Sequence, residues 1–335
     1  MTLRRPILAG LIGEVRRWAR WAERRPWLLS CVALVIATGV SLIMARAAGF
    51  GVVDGVLRKA NPSWLAVLVA GRAAAYVGYT LAHRATLSRG RSVPIAGDTS
   101  LKLVAYGAAA TSLAGGFATD HKAMRGAGAS PRQAMVRVLS LGSLEWITLA
   151  SAAWVCALTL LDVPYVQRAV TIPWAVGVPA GFAIAAIAVP RLSARSLSRR
   201  GGFRLVVGRG VEALDSLREQ LRDPVPLLVG CLGMVLYWSA EIVSLWAALR
   251  VFDIHVSAAV VTLGYATGHA LTPRSLPLSG AGVTEALLPL ALVWVGVPLA
   301  GAVPAVFAYR IALLALSIAP ALLARQRVQE LVARA

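Results

Sequence analysis

Between Val256 and Ala324 the chain is apolar on both sides of one interruption, Thr272-Pro273-Arg274-Ser275-Leu276-Pro277-Leu278-Ser279-Gly280-Ala281-Gly282-Val283-Thr284-Glu285. Its two prolines withdraw backbone donors, and its two glycines open conformations that a helix does not use. Irregular backbone at membrane depth is tolerated only where protein or a water-filled cavity surrounds it. Glu285 closes the interruption at the start of a new apolar run, and Arg310 lies midway along the next. The pattern fits a site better than a plain membrane anchor.

Several other apolar runs are long enough to cross a bilayer. With 58% hydrophobic residues and a mean hydropathy of +0.70, the chain is too apolar for a soluble domain. The net charge of +19 does not point to nucleic acid, because the arginines gather between apolar runs. Positive-inside topology and anionic inner-leaflet lipid account for that placement. Cys31, Cys156 and Cys231 fall in separate apolar runs and are expected to be core thiols rather than a disulfide or metal set.

Residues 1–25 alternate Arg4, Arg5, Arg16, Arg17, Arg20, Arg24 and Arg25 with Leu8, Leu11, Val15, Trp18 and Ala22 at helical spacing. A basic amphipathic helix on the cytoplasmic membrane surface is expected there. Trp27–Ala45 is the first span, read as an uncleaved signal-anchor although Ala45-Arg46-Ala47 imitates a cleavage site. Trp64–Ala82 is the second, with Arg72 near its centre. Leu103–Thr119 is apolar but has basic flanks on both sides, so it is expected to be re-entrant, turning near Gly115-Gly116. An ordinary span is the competing reading. Val138–Leu161 carries Glu145, and Ile172–Pro190 returns. Residues 191–223 form a basic linker with a helical stripe of Val207, Val211, Leu214, Leu217 and Leu221. Val225–Leu249 then carries Glu241, and Leu299–Ala324 ends before Arg325, Arg327 and Arg334. Positive-inside logic puts both termini in the cytoplasm of a multi-pass inner-membrane protein.

The expected fold is therefore all-α and polytopic, with about six full spans and two re-entrant or broken segments. The expected organisation is a basic segment 1–25, a transmembrane domain 26–325 and a cytoplasmic tail 326–335. Halves 64–161 and 225–324 contain the same parts in opposite orientation, which suggests an inverted repeat with broken segments near the midplane, a common transporter plan.

A charge inside a membrane segment costs roughly 2.5–3.5 kcal/mol and demands a partner or a cavity. Arg72, Glu145, Glu241, Glu285 and Arg310 make up this set. Glu285 and Arg310 are expected to pair. They either lock two helices together or line a polar cavity in which Arg310 and Arg72 hold an anionic headgroup. A half-helix starting near Gly282 would direct free N–H groups into the break, and Glu285 in its first turn could equally cap it. Glu241 is expected either to couple a proton or to hydrogen-bond a neighbour. His121 and His269 are expected to be polar residues near interfaces. Metal-ligand spacing, a nucleophile elbow and a phosphate-binding loop are lacking, so neither a cofactor nor enzymatic chemistry is expected.

The chain resembles the flippase-like transmembrane region of lysylphosphatidylglycerol synthases and stand-alone proteins built from that region. One carrier of the likeness is Leu276–Glu285 with Gly296-Val297-Pro298 and Tyr309-Arg310. The other runs from Gly115-Gly116-Phe117 through Arg125, Gly128 and Ala134 to Leu144-Glu145. Leu278 and Ser279 stand where that family is expected to have Pro and Gly, and Phe117 where it has an acidic residue, with Asp120 one turn later as a stand-in. The soluble aminoacyl-transfer domain has no room in 335 residues. The resemblance implies a protein that moves a lipid or lipid-linked glycan headgroup between leaflets. The headgroup is expected to enter a cavity between the two broken segments, with Gly280, Gly282, Glu285 and Arg310 from the second and Gly116, Asp120 and Glu145 from the first among its binding residues. A non-transporting scaffold for envelope-building enzymes is the alternative.

Overall fold

A computed structural model describes residues 26–87, 97–108, 116–191, 211–212, 224–272 and 277–334. The expected amphipathic helix of residues 1–25 and most of the 191–223 stripe lie outside them, as do 109–115 and 273–276. The described chain is helical, with no strand. The helices are α1 (Pro26–Ala48), α2 (Phe50–Leu57), α3 (Trp64–Leu87), α4 (Gly97–Ala108), α5 (Gly116–Gly126), α6 (Pro131–Thr159), α7 (Arg168–Arg191), α8 (Pro224–Val251), α9 (Ala258–Leu271), α10 (Val283–Trp294) and α11 (Leu299–Ala333). Six of them, α1, α3, α6, α7, α8 and α11, are long and apolar enough to cross a bilayer. This is an all-α, multi-pass membrane protein.

Local chemistry sets several ends. Ser130 caps α6: its hydroxyl accepts the N–H of Gln133, the Gln133 side chain accepts the N–H of Ser130, and Pro131 occupies the first turn. Ser257 caps α9 through its hydroxyl alone, which accepts the N–H of Val260. The final helix runs beyond its apolar stretch. Val328 is buried and Leu331 lies against Gly126, so residues 326–333 continue α11 and pack on α5 rather than form a separate tail.

Small residues hold the centre together. α3 and α8 are antiparallel, with Gly71 against Ala240 and Ser244, and Gly78 against Gly233 and Tyr237. A Cβ at Gly78 would lie 2.5 Å from the Tyr237 nitrogen. Close backbone approach of this kind is how helices associate where lipid removes the hydrophobic driving force. Outward surfaces carry exposed Val35 and Ile43 on α1, Val176 and Ile184 on α7, and Val225 and Leu232 on α8, as lipid-facing helices should. Cys31 also faces outward, unlike the core thiol expected, because it sits on the outer face of α1.

The connections define two ends of the bundle. At the basic end, Arg137 donates to the Leu87 carbonyl at 2.8 Å, Arg132 pairs with Glu212 at 2.8 Å, and Gly126 meets Leu331. At the opposite end, the Asn61 N–H donates to Val251 O at 2.6 Å and the Gln167 N–H to Trp294 O at 3.0 Å. Accordingly α3 and α11 run toward the basic end, and α6 and α8 run away from it.

The two interrupted segments are helix pairs. Gly264 packs on Leu292 and Val295 while Gly268 packs on Leu288, so α9 and α10 form an antiparallel hairpin that starts and finishes at the opposite end. At about 1.5 Å per residue neither arm reaches across a hydrocarbon core of about 30 Å. Between the arms lie a 3₁₀ turn, Pro277–Gly280, and three residues with left-handed backbone: Leu278 (φ 52°), Gly280 (φ 71°) and Gly282 (φ 86°). In the first half, Val104 and Gly107 of α4 reach the centre. α5 runs from Phe117, beside Gly142, to Gly126 at the basic end.

Candidate functional site

Helical period assembles the site. Arg72, Tyr76, Tyr79 and His83 recur along one face of α3, Tyr237 and Glu241 along α8, and Tyr265 and His269 along α9. Where these faces meet α4, α10 and α11 they line a partly open cavity of roughly 120 Å³, with His83 beyond its wall. A cavity needs only about 10–15 Å³ of this measure to hold a water molecule, so there is room for a polar group of several heavy atoms. Arg72, Glu241 and Arg310 line it, together with Tyr76, Tyr265 and Tyr309.

Two ion pairs cross this region. Arg72 donates to Glu241, joining α3 to α8, and both side chains are buried. Tyr309 also donates its hydroxyl to Glu241. The Tyr265 hydroxyl lies 3.5 Å from the same carboxylate and 3.3 Å from the Tyr309 hydroxyl. The Arg72 guanidinium stands over the Tyr76 and Tyr309 rings at 6.0 and 5.8 Å from their centroids.

The second pair is Arg310 with Glu285, Nε to Oε1 at 2.6 Å. The other oxygen, Oε2, accepts the Gly282 N–H at 2.6 Å. Glu285 therefore pairs and caps at once, combining the two roles the sequence left open. Pairing keeps both charges tolerable in a low-dielectric interior. It also means that neither arginine is a bare cation waiting for an anion.

Glu145 lies behind the cavity wall. The Tyr79 hydroxyl donates to its Oε2 at 3.4 Å, and His269 Nε2 is 3.7 Å from its Oε1. His269 is set deep in the bundle, stacked on Tyr265 and edge-on to Trp238, rather than near an interface. Gly280 and Gly282 shape the hairpin tip, and Gly282 rests against Ile36 of α1. Gly116 and Asp120 are separate from the cavity, toward the basic end, where Asp120 Oδ1 is 3.3 Å from His83 Nε2.

The structure thus gathers Arg72, Glu241 and Arg310 around the cavity, with Glu285 and Glu145 immediately behind, and leaves Gly116 and Asp120 apart. Sequence reasoning missed His83, Tyr79 and Tyr265. Their spacing from Arg72 and His269 was the available signal. Among the described residues no group of three His, Cys, Asp or Glu side chains is placed to hold a metal ion. Comparison with models of protein families and with curated proteins finds no match.

Proposed function

We propose that this protein is a flippase-like carrier that moves a lipid or lipid-linked anionic or glycosyl headgroup between leaflets. The observation that carries this reading is the cavity between α4 and the α9–α10 hairpin, whose wall sets Arg72, Glu241, Arg310 and three tyrosine hydroxyls among apolar side chains, surrounded by helices with apolar outer faces. A headgroup would occupy the cavity while its acyl chains remain in lipid.

The paired arginines suggest how binding would be coupled to movement. A phosphate competes with a carboxylate for the same guanidinium donors. A headgroup taking Arg310 would release Glu285, and with it the cap on Gly282 at the hairpin tip. The antiparallel senses of α3 and α8, and of α6 and α11, support an inverted repeat, in which one half rocks against the other. The likeness of Leu276–Glu285 and Tyr309-Arg310 to the flippase-like region of lysylphosphatidylglycerol synthases supports the same assignment. The basic end would face the cytoplasm of an inner membrane.

The test is leaflet transfer of fluorescent phospholipids and polyprenyl-phosphate sugars in proteoliposomes. Wild type is compared with Glu285→Gln and Arg310→Ala. Transfer by wild type that both substitutions abolish supports the carrier and narrows its substrate by headgroup. Absence of any transfer by folded wild type would favour the scaffold alternative.

A further inference from the structure

We propose that His269, Glu145, Tyr79, His83 and Asp120 conduct protons between the cavity and the basic end, so that a proton gradient drives the carrier. The proposal rests on the carrier function above for its purpose, but not for its geometry. The five side chains form one row through the protein. His269 and Tyr79 are part of the cavity wall, and Glu145 bridges them from behind at 3.7 and 3.4 Å. Tyr79 and His83 are one turn apart on α3, with ring centroids 6.4 Å apart. His83 Nε2 lies 3.3 Å from Asp120 Oδ1.

A second observation marks the far end of the row. His83 and Asp120 are buried, at 0% and 2% exposure, yet His83 Nδ1 and Asp120 Oδ2 have no hydrogen-bond partner among the described residues. A carboxylate only accepts, so His83 Nε2 carries the hydrogen, and in the neutral imidazole Nδ1 then presents a lone pair. A purely structural pair would leave two buried polar atoms unsatisfied, which is costly. A relay uses both: one receives the proton and the other passes it on.

Each hop exchanges one N–H or O–H bond for another. A proton on His269 moves to the Glu145 carboxylate, leaving a neutral imidazole and a carboxylic acid. The acid gives its proton to the Tyr79 oxygen as the Tyr79 hydroxyl proton passes to His83 Nδ1, a step for which the relay requires a water molecule between the two side chains. The resulting imidazolium yields its Nε2 proton to Asp120, which releases it toward the basic end. The groups that face this row and set its field are Tyr237 and Glu241 from α8, Tyr265 from α9 and Arg72 from α3.

The experiment uses the full chain in phosphatidylethanolamine–phosphatidylglycerol vesicles that enclose a pH-sensitive dye. A potassium diffusion potential drives protons, and transfer of the fluorescent phospholipids and polyprenyl-phosphate sugars is followed in the same vesicles. Wild type is expected to move protons faster than protein-free vesicles. His83→Gln and Tyr79→Phe are expected to fall to the protein-free rate while still folding and inserting, with some loss of unfolding temperature because each removes a buried polar contact. His255→Gln, exposed at the opposite end, is expected to keep the wild-type proton rate. A wild-type rate equal to that of empty vesicles overturns the relay, and so does a rate that neither substitution lowers. Proton movement without lipid transfer upholds the relay and overturns the carrier; lipid transfer without proton movement does the reverse.

Discussion

Glu285 and Arg310 are joined by a 2.6 Å contact that also fixes the tip of a hairpin, because the second Glu285 oxygen holds the Gly282 N–H at the same distance. Glu285→Gln leaves the buried Arg310 without its counter-charge. Breaking a buried ion pair from one side costs about 3–5 kcal/mol. The unfolding temperature in detergent is expected to drop markedly for Glu285→Gln and for Arg310→Ala. A double variant, Glu285→Gln with Arg310→Met, is expected to recover part of the loss, since it leaves no unpaired charge. Equal destabilisation of the double and the singles would show that the pair contributes little beyond side-chain packing.

The α3–α8 seam predicts a contrast between glycines. Gly78→Ala puts a Cβ 2.5 Å from the Tyr237 nitrogen and 2.7 Å from the Gly233 carbonyl, and backbone on both sides cannot rotate away. Overpacking of this kind costs about 1–3 kcal/mol. Gly177→Ala on α7 meets nothing within 4 Å. There the gain in helix propensity is about 0.5–1 kcal/mol. Thermal unfolding of the two variants is expected to shift in opposite directions.

The spans were legible because lipid imposes their length. Each expected run corresponds to a long helix, with ends displaced where capping decides: Ser130 starts α6 before the apolar run begins, and Val328 carries α11 past its end. The Glu285–Arg310 pair was legible because two charges in adjacent apolar runs have few alternative partners. Arg72 with Glu241 was not, because a separation of 169 positions leaves the pairing to tertiary structure. The tyrosines went unread for another reason. Along an apolar helix an aromatic residue is ordinary, and only the neighbouring carboxylates turn these hydroxyls into part of a polar site.

Glu241 accepts from Arg72 and Tyr309, with the Tyr265 hydroxyl at the edge of hydrogen-bond range. Tyr309→Phe removes one donor while preserving the ring over which Arg72 lies. A hydrogen bond to a charged group is worth about 1.5–3 kcal/mol, so the variant is expected to unfold at a lower temperature without losing its fold. Arg72→Gln in the same assay is expected to be worse, because it strands the Glu241 carboxylate. Lipid transfer should fall in both if the Glu241 cluster forms part of the headgroup site. Unchanged transfer by a folded Tyr309→Phe protein would place that hydroxyl outside the transport step.

The hairpin geometry makes a prediction about sidedness that needs no knowledge of substrate. Ser257 begins α9 and Gly296 follows α10, and both belong to the end that contains the Gln167–Trp294 contact. Gly128, between α5 and α6, belongs to the basic end; its φ of 100° strains a side chain there, but no described atom lies within 4 Å of a Cβ built on it. With Cys31, Cys156 and Cys231 replaced by Ser, single cysteines at 257 and 128 are to be treated with a membrane-impermeant maleimide. In inside-out and right-side-out vesicles the two are expected to label from opposite faces. Gly296→Cys would clash with Tyr165, so Val256→Cys, one residue before the cap, serves as the second probe for the hairpin's end. It is expected to label with 257 and never with 128. If 257 and 128 labelled from the same face, α9 and α10 would not form a hairpin entering from the end opposite α5. The meeting of two broken segments at the cavity, and the carrier built on it, would then both fail.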